Sequence, residues 1–185
     1  MKKEFQKFTD EMKLFSEEFY PESDRSAVIV GASQIDIELT RLISKVLKPK
    51  TSKKDELLES DNPLSTFSAK INLAYRLGLI DENFKSLLLL FKKLRNDMSH
   101  QVLNCSLDLP PHSDRIKELY NKSNQDPFYR SMLKIFPEQY ANSESSAIIK
   151  TFIMYMLGHL SATTYWVEPL YDVNNEYLIN SAIKC

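Results

Sequence analysis

Helical periodicity is the feature of this sequence that most constrains its fold. Near the N-terminus, apolar residues alternate between three-residue and four-residue spacing, which lines one face of an α-helix. These residues are Phe5, Phe8, Met12, Phe15 and Phe19. Strands have little support, because the 185 residues include only three glycines and no Asn-Gly or Asp-Gly pair between alternating hydrophobic runs. The chain is therefore predicted to be all-α.

Capping residues and helix breakers divide the chain into its helices. Each predicted start has a Ser, Asp or Asn whose side chain can accept a hydrogen bond from the free N–H groups of the first turn. The predicted caps are Ser23 or Asp24, Asp61 with Asn62, Asp81, Ser113, Asp126 and Ser143. The predicted breakers are Pro49, Gly78, Pro110 with Pro111, and Pro169. A bundle of about six to eight helices with an irregular insertion follows.

The chain is long enough to bury one hydrophobic core without disulfides or metals, so a single domain over residues 1–185 is expected. Within it we distinguish an amphipathic first helix at 1–21, a core at 22–100, an irregular segment at 101–142 and C-terminal helices at 143–185. In the second helix, Val30 is predicted to be buried. The sequence VIVGAS around Gly31 has one glycine and no following GK[ST], so Gly31 is interpreted as a helix-packing position rather than part of a phosphate loop.

Charge and cysteine usage narrow the function classes. With 24 basic and 25 acidic side chains the net charge is -1, which makes direct DNA binding unlikely to be the main activity. The lysine-rich stretch Lys45 to Lys54 can contact phosphates, although such a stretch more often forms a solvated loop. Cys105 and Cys185 are far apart and outside any metal-binding spacing, so neither a metal nor a cofactor is predicted.

The location of the protein is predicted from the lack of suitable apolar segments. The N-terminus carries acidic residues where a signal peptide needs an uninterrupted apolar stretch. The most apolar segment, AIIKTFIMYMLGHL, is interrupted by Lys150 and His159 and is shorter than a membrane span of about 20 residues. A cytoplasmic protein with no membrane association is expected.

The central segment resembles a known family. Residues 56–100 contain an aspartate-rich turn entering NPL, then FSAKINLAYRLGLI, an acidic cap, a leucine-rich helix and a terminal R, N, H cluster. Together with ESDRSAVIVGASQIDIELTRLI upstream, residues 22–100 resemble the mannitol operon repressor (MltR) family. The resemblance implies an all-helical, cytoplasmic bacterial regulatory protein without an obvious DNA-reading helix-turn-helix. It favours a non-catalytic protein that binds a protein partner, either in transcription regulation or in neutralising a toxin as an immunity or antitoxin protein.

A second resemblance supports an enzyme alternative. In RNDMSH, Arg95 and His100 match the R-x4-6-H motif of HEPN ribonucleases, which are helical and metal-independent. The histidine would move the proton of the ribose 2'-hydroxyl, the arginine would stabilise charge on the phosphoryl group, and Asn96 or Asp97 would orient the imidazole. On a regular helix, however, five residues place the two side chains about 140 degrees apart. The structural alternative is that Arg95 pairs with a carboxylate on a neighbouring helix and His100 closes the helix C-terminus.

The C-terminal segment TTYWVEPLYDVNNEYL combines aromatic and acidic residues. Trp166, Glu168, Tyr171 and Asp172 are the predicted partner-binding residues, since aromatic residues are enriched at protein interfaces. The alternative is that they close the end of the bundle. The phenylalanine stripe of the first helix would become a homodimer seam if the bundle does not bury it. RNA is a partner only under the ribonuclease alternative.

Overall fold

The computed structural model describes residues 2–59, 61–100 and 106–170. Over these residues the chain forms seven α-helices, one short 3-10 helix and no strand. The helices are α1 (Lys2–Phe19), α2 (Asp24–Val46), α3 (Phe67–Arg76), α4 (Glu82–His100), α5 (His112–Ser123), α6 (Pro127–Lys134) and α7 (Glu144–Trp166), with the 3-10 helix at Glu138–Tyr140. The predicted all-α bundle is confirmed.

Helices α2 and α7 form the centre of the bundle and run parallel to each other. The contacts between them involve four α2 residues spaced seven apart, which share one stripe of the helix surface. From first to last turn, Asp24 accepts a hydrogen bond from Ser146, Gly31 lies against Ile153, Glu38 accepts from Ser161, and Lys45 donates to the Thr164 carbonyl. The contacts advance along both helices in the same direction, which defines the parallel pairing.

Helix α4 packs antiparallel to α7, and α5 packs antiparallel to α4. The α4–α7 contact is aromatic: Phe91 and Phe152 have ring centroids 5.5 Å apart, while Phe84 lies 5.3 Å from His159 nearer the other end. The α4–α5 contact is polar at the surface, with Arg115 bound to Asp97 and Lys122 to Ser86. The enclosed core contains side chains from all seven α-helices.

Most of the predicted helix ends are confirmed by hydrogen bonds. Four of the predicted caps accept a bond from a first-turn N–H group. They are Ser23 (from Ser26), Asp81 (from Phe84), Asp126 (from Phe128) and Ser143 (from Ser146). Gly78 ends α3 with φ +70°, a left-handed conformation that glycine adopts without a steric penalty.

The predicted start of α3 at Asp61 and Asn62 is wrong. The helix begins at Phe67, and Thr66 is its cap. The preceding residues form a turn instead, because the Asn62 amide donates to the Asp55 carbonyl at 2.8 Å and the Leu64 N–H donates to the Leu57 carbonyl at 2.9 Å. These bonds close a loop, so the backbone there is not available for a helix.

Two further expectations are corrected. Ser113 does not cap α5, which begins at His112 after Pro111 without a side-chain cap. Val30 is 41% exposed, because Val28 and Gly31 occupy the α2 face that meets the bundle. The segment 106–142 contains α5 and α6, the two helices predicted near Ser113 and Asp126. The helix predicted beyond residue 174 lies outside the described residues.

Candidate functional site

Arg95 and His100, the pair required by the ribonuclease alternative, do not come together. Helix α4 continues through His100, so the helix does not loosen between them, and the regular geometry keeps the side chains about 140 degrees apart. Both residues are exposed. The Arg95 guanidinium donates to the side-chain oxygen of Asn96 at 3.0 Å. His100 occupies the last turn of α4, where a positive charge interacts favourably with the helix C-terminus.

Asp97, the other residue proposed to orient the imidazole, has a structural partner. Its carboxylate forms an ion pair with Arg115 of α5. Its neighbour Met98 is fully buried. The ion pair expected between Arg95 and a neighbouring helix is not found within the described residues, and the pair that joins α4 to α5 is formed by Asp97 and Arg115. Within the described residues, this end of α4 holds α5 in place.

The C-terminal end of α7 presents an apolar and acidic surface, which we call the α7-end surface and define as Trp166, Glu168 and Leu170. Trp166 is 74% exposed and Leu170 is 54% exposed, and Glu168, which lies between them in the sequence, is exposed as well. Leu170 was not among the predicted residues, although its place between the aromatic and acidic residues gave a signal for it. Of the predicted residues, Tyr171 and Asp172 lie outside the described part of the chain.

The helix end beneath this surface is held in place by α2. The Lys45 ammonium donates to the carbonyls of Thr164 at 2.6 Å and Tyr165 at 3.1 Å. These are among the last carbonyls of α7, which have no partner within the helix. Trp166 then contacts Tyr165 edge-on, with the ring centroids 5.0 Å apart. The exposed tryptophan therefore lies at a helix end whose carbonyls are bound by Lys45 of α2.

A polar cluster of Asp126, Tyr155 and His159 joins the start of α6 to α7. The Tyr155 hydroxyl donates to Asp126 Oδ2 at 2.8 Å, and His159 Nε2 lies 3.7 Å from the same oxygen. Burial by itself raises the pKa of Asp126, but the bonds from Tyr155 and the Phe128 N–H and the nearby His159 outweigh it and lower that pKa. The cluster contains no serine, cysteine or lysine nucleophile. Its contacts are structural, because Asp126 caps α6 and also binds Tyr155 of α7.

A cavity of about 560 Å³ lies between the C-terminal half of α2 and the loop that follows it. We call it the loop cavity. Its wall includes Lys48, Lys50 and Lys54 from the predicted lysine-rich stretch, together with Thr40 and Ser44 of α2. The sequence indicates the lysines but not the α2 hydroxyls, because only the folded loop brings them to the same space.

The described residues define no metal site and no transmembrane helix. No group of three or more His, Cys, Asp or Glu side chains among them is placed to hold a metal ion. No helix in these ranges combines the length and the apolar character needed to cross a membrane.

Comparison with known proteins supports one structural relationship. No protein-family model and no curated protein sequence matches the chain. The fold is similar to that of MtlR from Escherichia coli, whose X-ray structure was solved as a complex with HPr. The TM-score is 0.58, the match covers 85% of this chain and 98% of that chain, and the identity is 18%. At this identity the likeness shows the fold, and the resemblance predicted from residues 22–100 is confirmed at that level.

Proposed function

We propose that this protein is a non-catalytic, cytoplasmic regulator that acts by binding a protein partner. The observation that carries the proposal is the fold shared with MtlR, which was solved as a complex with HPr. An HPr-like protein is accordingly the first partner to test. Transcription regulation is the process that the resemblance of residues 22–100 to the mannitol operon repressor family favours, whereas no observation favours neutralisation of a toxin.

The α7-end surface is the part of the molecule that we assign to the partner. Trp166 offers a large apolar area on a fixed helix end, and tryptophan is the residue type most enriched among those that dominate binding energy. Leu170 extends the apolar area, and Glu168 adds a negative charge beside it, which favours a partner with a basic rim. Tyr171 and Asp172 follow Leu170 in the sequence and stay predicted partner-binding residues.

Titration calorimetry with purified Escherichia coli HPr, and with HPr from the native host, tests this proposal. Wild-type protein is expected to bind, and Trp166→Ala is expected to raise the Kd by about 30-fold or more, as for an interface residue worth about 2 kcal/mol. Ile135→Ala is the matched control, because Ile135 is an apolar side chain 80% exposed just after α6. Its Kd should equal the wild-type value.

Two results would contradict the proposal in different ways. If wild-type protein binds neither HPr, the partner is wrong; if Trp166→Ala binds as wild type does, the surface is wrong. Arg95→Ala/His100→Ala, assayed for RNA cleavage beside wild type, addresses the ribonuclease alternative. We expect no cleavage by either protein and an unchanged Kd for HPr, since α4 keeps the two side chains apart.

A further inference from the structure

We propose that the partner binds through an amphipathic helix that lies along α7 from Phe128 to Trp166 and carries basic residues beside its apolar face. This inference rests on the proposed function, because it extends the α7-end surface and states what covers it. The residues concerned are Phe128, His159, Ala162 and Trp166, all of them exposed, and we call them the α6–α7 face. Phe128 lies at its α6 end and Trp166 at its α7 end.

The α7 residues of this face have the spacing that packs against another helix. His159, Ala162 and Trp166 are separated by three and then four positions, so they share one stripe of the helix surface. Tyr155 lies one turn earlier on the same stripe but is buried, and the Phe128 ring lies beside it with the centroids 6.2 Å apart. Phe128 therefore continues the stripe towards the middle of α7. A stripe of this spacing is the pattern by which one helix packs along another.

Two aromatic rings with small residues between them determine the length of the partner segment. Phe128 is 53% exposed and lies next to Gly158, since a Cβ atom added there would be 3.9 Å from its ring. From Gly158 to Trp166, α7 rises by about 12 Å. Gly158 and Ala162 leave room between the rings for apolar side chains of a partner. A helix presents such side chains seven or eight positions apart on one face, a rise of about 10–12 Å, so two turns of helix match the face.

Contacts within the bundle hold Phe128 and His159 in place. Asp126 accepts a hydrogen bond from the Phe128 N–H at 2.7 Å and another from the Tyr155 hydroxyl at 2.8 Å. The His159 ring contacts Tyr155 and Phe84, with centroid distances of 5.0 Å and 5.3 Å, and its side chain is still 44% exposed. Because these side chains are already ordered, little conformational entropy is lost when a partner covers them.

The carboxylates around the face give it a negative rim. Asp126 lies 3.7 Å from His159 Nε2, and Glu168 is exposed two positions after the end of α7. Asp81 is exposed at the start of α4, where it accepts a bond from the N–H of Phe84, the residue that contacts His159. Protonation of His159 would still leave these three carboxylates in excess over the imidazole.

The basic side chains of the adjoining elements are already bound. The Lys45 ammonium donates to the last carbonyls of α7. Arg130 comes two positions after Phe128, which places it on nearly the opposite side of α6, and it donates to a backbone carbonyl of the α5–α6 connection. Lys122 of α5 pairs with Glu118 at 3.8 Å. The uncommitted charges beside the face are therefore negative, which favours a partner helix with lysine or arginine at its rim.

Amide chemical shifts of the full-length protein, recorded during titration with three hydrocarbon-stapled alanine helices, test this site. The basic probe carries two leucines seven positions apart, with lysines beside them. The acidic probe has glutamates in place of the lysines, and the shifted probe has one leucine moved two positions, to the opposite face. We expect saturable shifts at Gly158, Ala162 and Trp166 with the basic probe, and at least tenfold weaker binding of the other two.

Phe128→Ala should weaken the binding of the basic probe at least tenfold, because it removes one of the two aromatic rings. The control is Leu109→Ala, since Leu109 is 58% exposed just before α5, and this variant should bind as wild type does. The amide spectra also show whether each variant is folded. The site is overturned if the basic probe causes no saturable shifts on α7, if the acidic probe binds equally well, or if Phe128→Ala binds as wild type does.

Calorimetry of Phe128→Ala with HPr separates this inference from the proposed function. If binding of HPr depends on Trp166 but not on Phe128, the extension to α6 is wrong and the α7-end surface stands. If the basic probe binds at the α6–α7 face and neither HPr binds, the helix-binding site stands and the proposed partner is wrong.

Discussion

At the scale of single residues, one missing methyl group determines how closely α2 approaches α7. A Cβ atom added at Gly31 would lie 2.7 Å from Ile153 Cγ2 and 2.8 Å from its Cδ1, both shorter than a van der Waals contact. At Gly158 of α7, the nearest atom to an added Cβ is a Phe128 ring carbon 3.9 Å away. A side chain would therefore clash with α7 at Gly31, whereas there is room for one at Gly158.

Gly31→Ala is expected to destabilise the protein by about 1–3 kcal/mol, because an added methyl in a packed interface forces the neighbouring side chain or helix to move. Gly158→Ala should instead be neutral or stabilising by up to about 1 kcal/mol, since alanine has the higher helix propensity. Urea unfolding of both variants measures the difference. Equal effects of the two substitutions would contradict the close packing at Gly31.

Lys150 shows how a buried charge is accommodated at the same scale. It is 1% exposed, and its ammonium donates to the carbonyls of Tyr20, Glu22 and Tyr140 at 2.7–2.9 Å. Burial lowers its pKa, although Asp24 and Glu22 act in the opposite direction. The sequence predicts Lys150 only as an interruption of an apolar segment, whereas in the fold it joins α7 to two connections between helices.

At the scale of secondary-structure elements, local capping determines where the helices begin. Asp81 and Gly78 separate α3 from α4: the glycine ends one helix, and the aspartate begins the next by accepting the Phe84 N–H at 2.7 Å. Such bonds satisfy N–H groups that have no partner within the helix. They depend on a few neighbouring residues, which explains why the sequence indicated most of them.

Asp81→Ala is expected to lower the free energy of unfolding by about 1 kcal/mol, the usual loss for an N-cap. Ser113→Ala is the contrasting variant, because Ser113 lies in the first turn of α5 without capping it. Its effect should be clearly smaller. Thermal and urea unfolding of both variants would measure this, and a larger loss for Ser113→Ala would show that the assignment of caps is wrong.

At the scale of the whole molecule, buried tyrosines connect stability to pH. Tyr129 and Tyr155 are almost completely buried, and burial is the main cause that raises the pKa of each well above the usual value near 10. Above about pH 10 the unfolded chain gives up these protons while the folded protein keeps them, so stability falls as pH rises. The lowered pKa of Lys150 acts in the opposite direction at lower pH, because below its usual value of 10.5 the folded protein gives up that proton while the unfolded chain still holds it.

Tyr129→Phe is expected to reduce the loss of stability above pH 10. The unfolded and folded states then differ by up to one bound proton less, so the slope of the free energy of unfolding against pH changes by up to about 1.4 kcal/mol per pH unit. The variant also loses the bond from the hydroxyl to the Ile148 carbonyl, about 1 kcal/mol, at pH 7. Urea unfolding between pH 8 and 11 separates the two effects, since only the titration changes the slope. If the free energy of unfolding of Tyr129→Phe depends on pH as steeply as that of the wild type, the prediction is wrong.

The sequence by itself determined the helical fold, most helix ends and the packing role of Gly31. These features depend on periodicity, capping and turn residues, which act over a few neighbouring positions. The predicted helix start at Asp61 and Asn62 was wrong because the Asn62 side chain binds the Asp55 carbonyl, seven residues earlier, and does not cap a helix.

Only the tertiary structure decided which polar residues meet. It paired Asp97 with Arg115 and brought Lys48 to the hydroxyls of α2. The physical reason is that burial and contact between helices depend on how the helices are arranged in space. Spacing along one helix determines which residues share a face, but it does not determine what lies opposite that face.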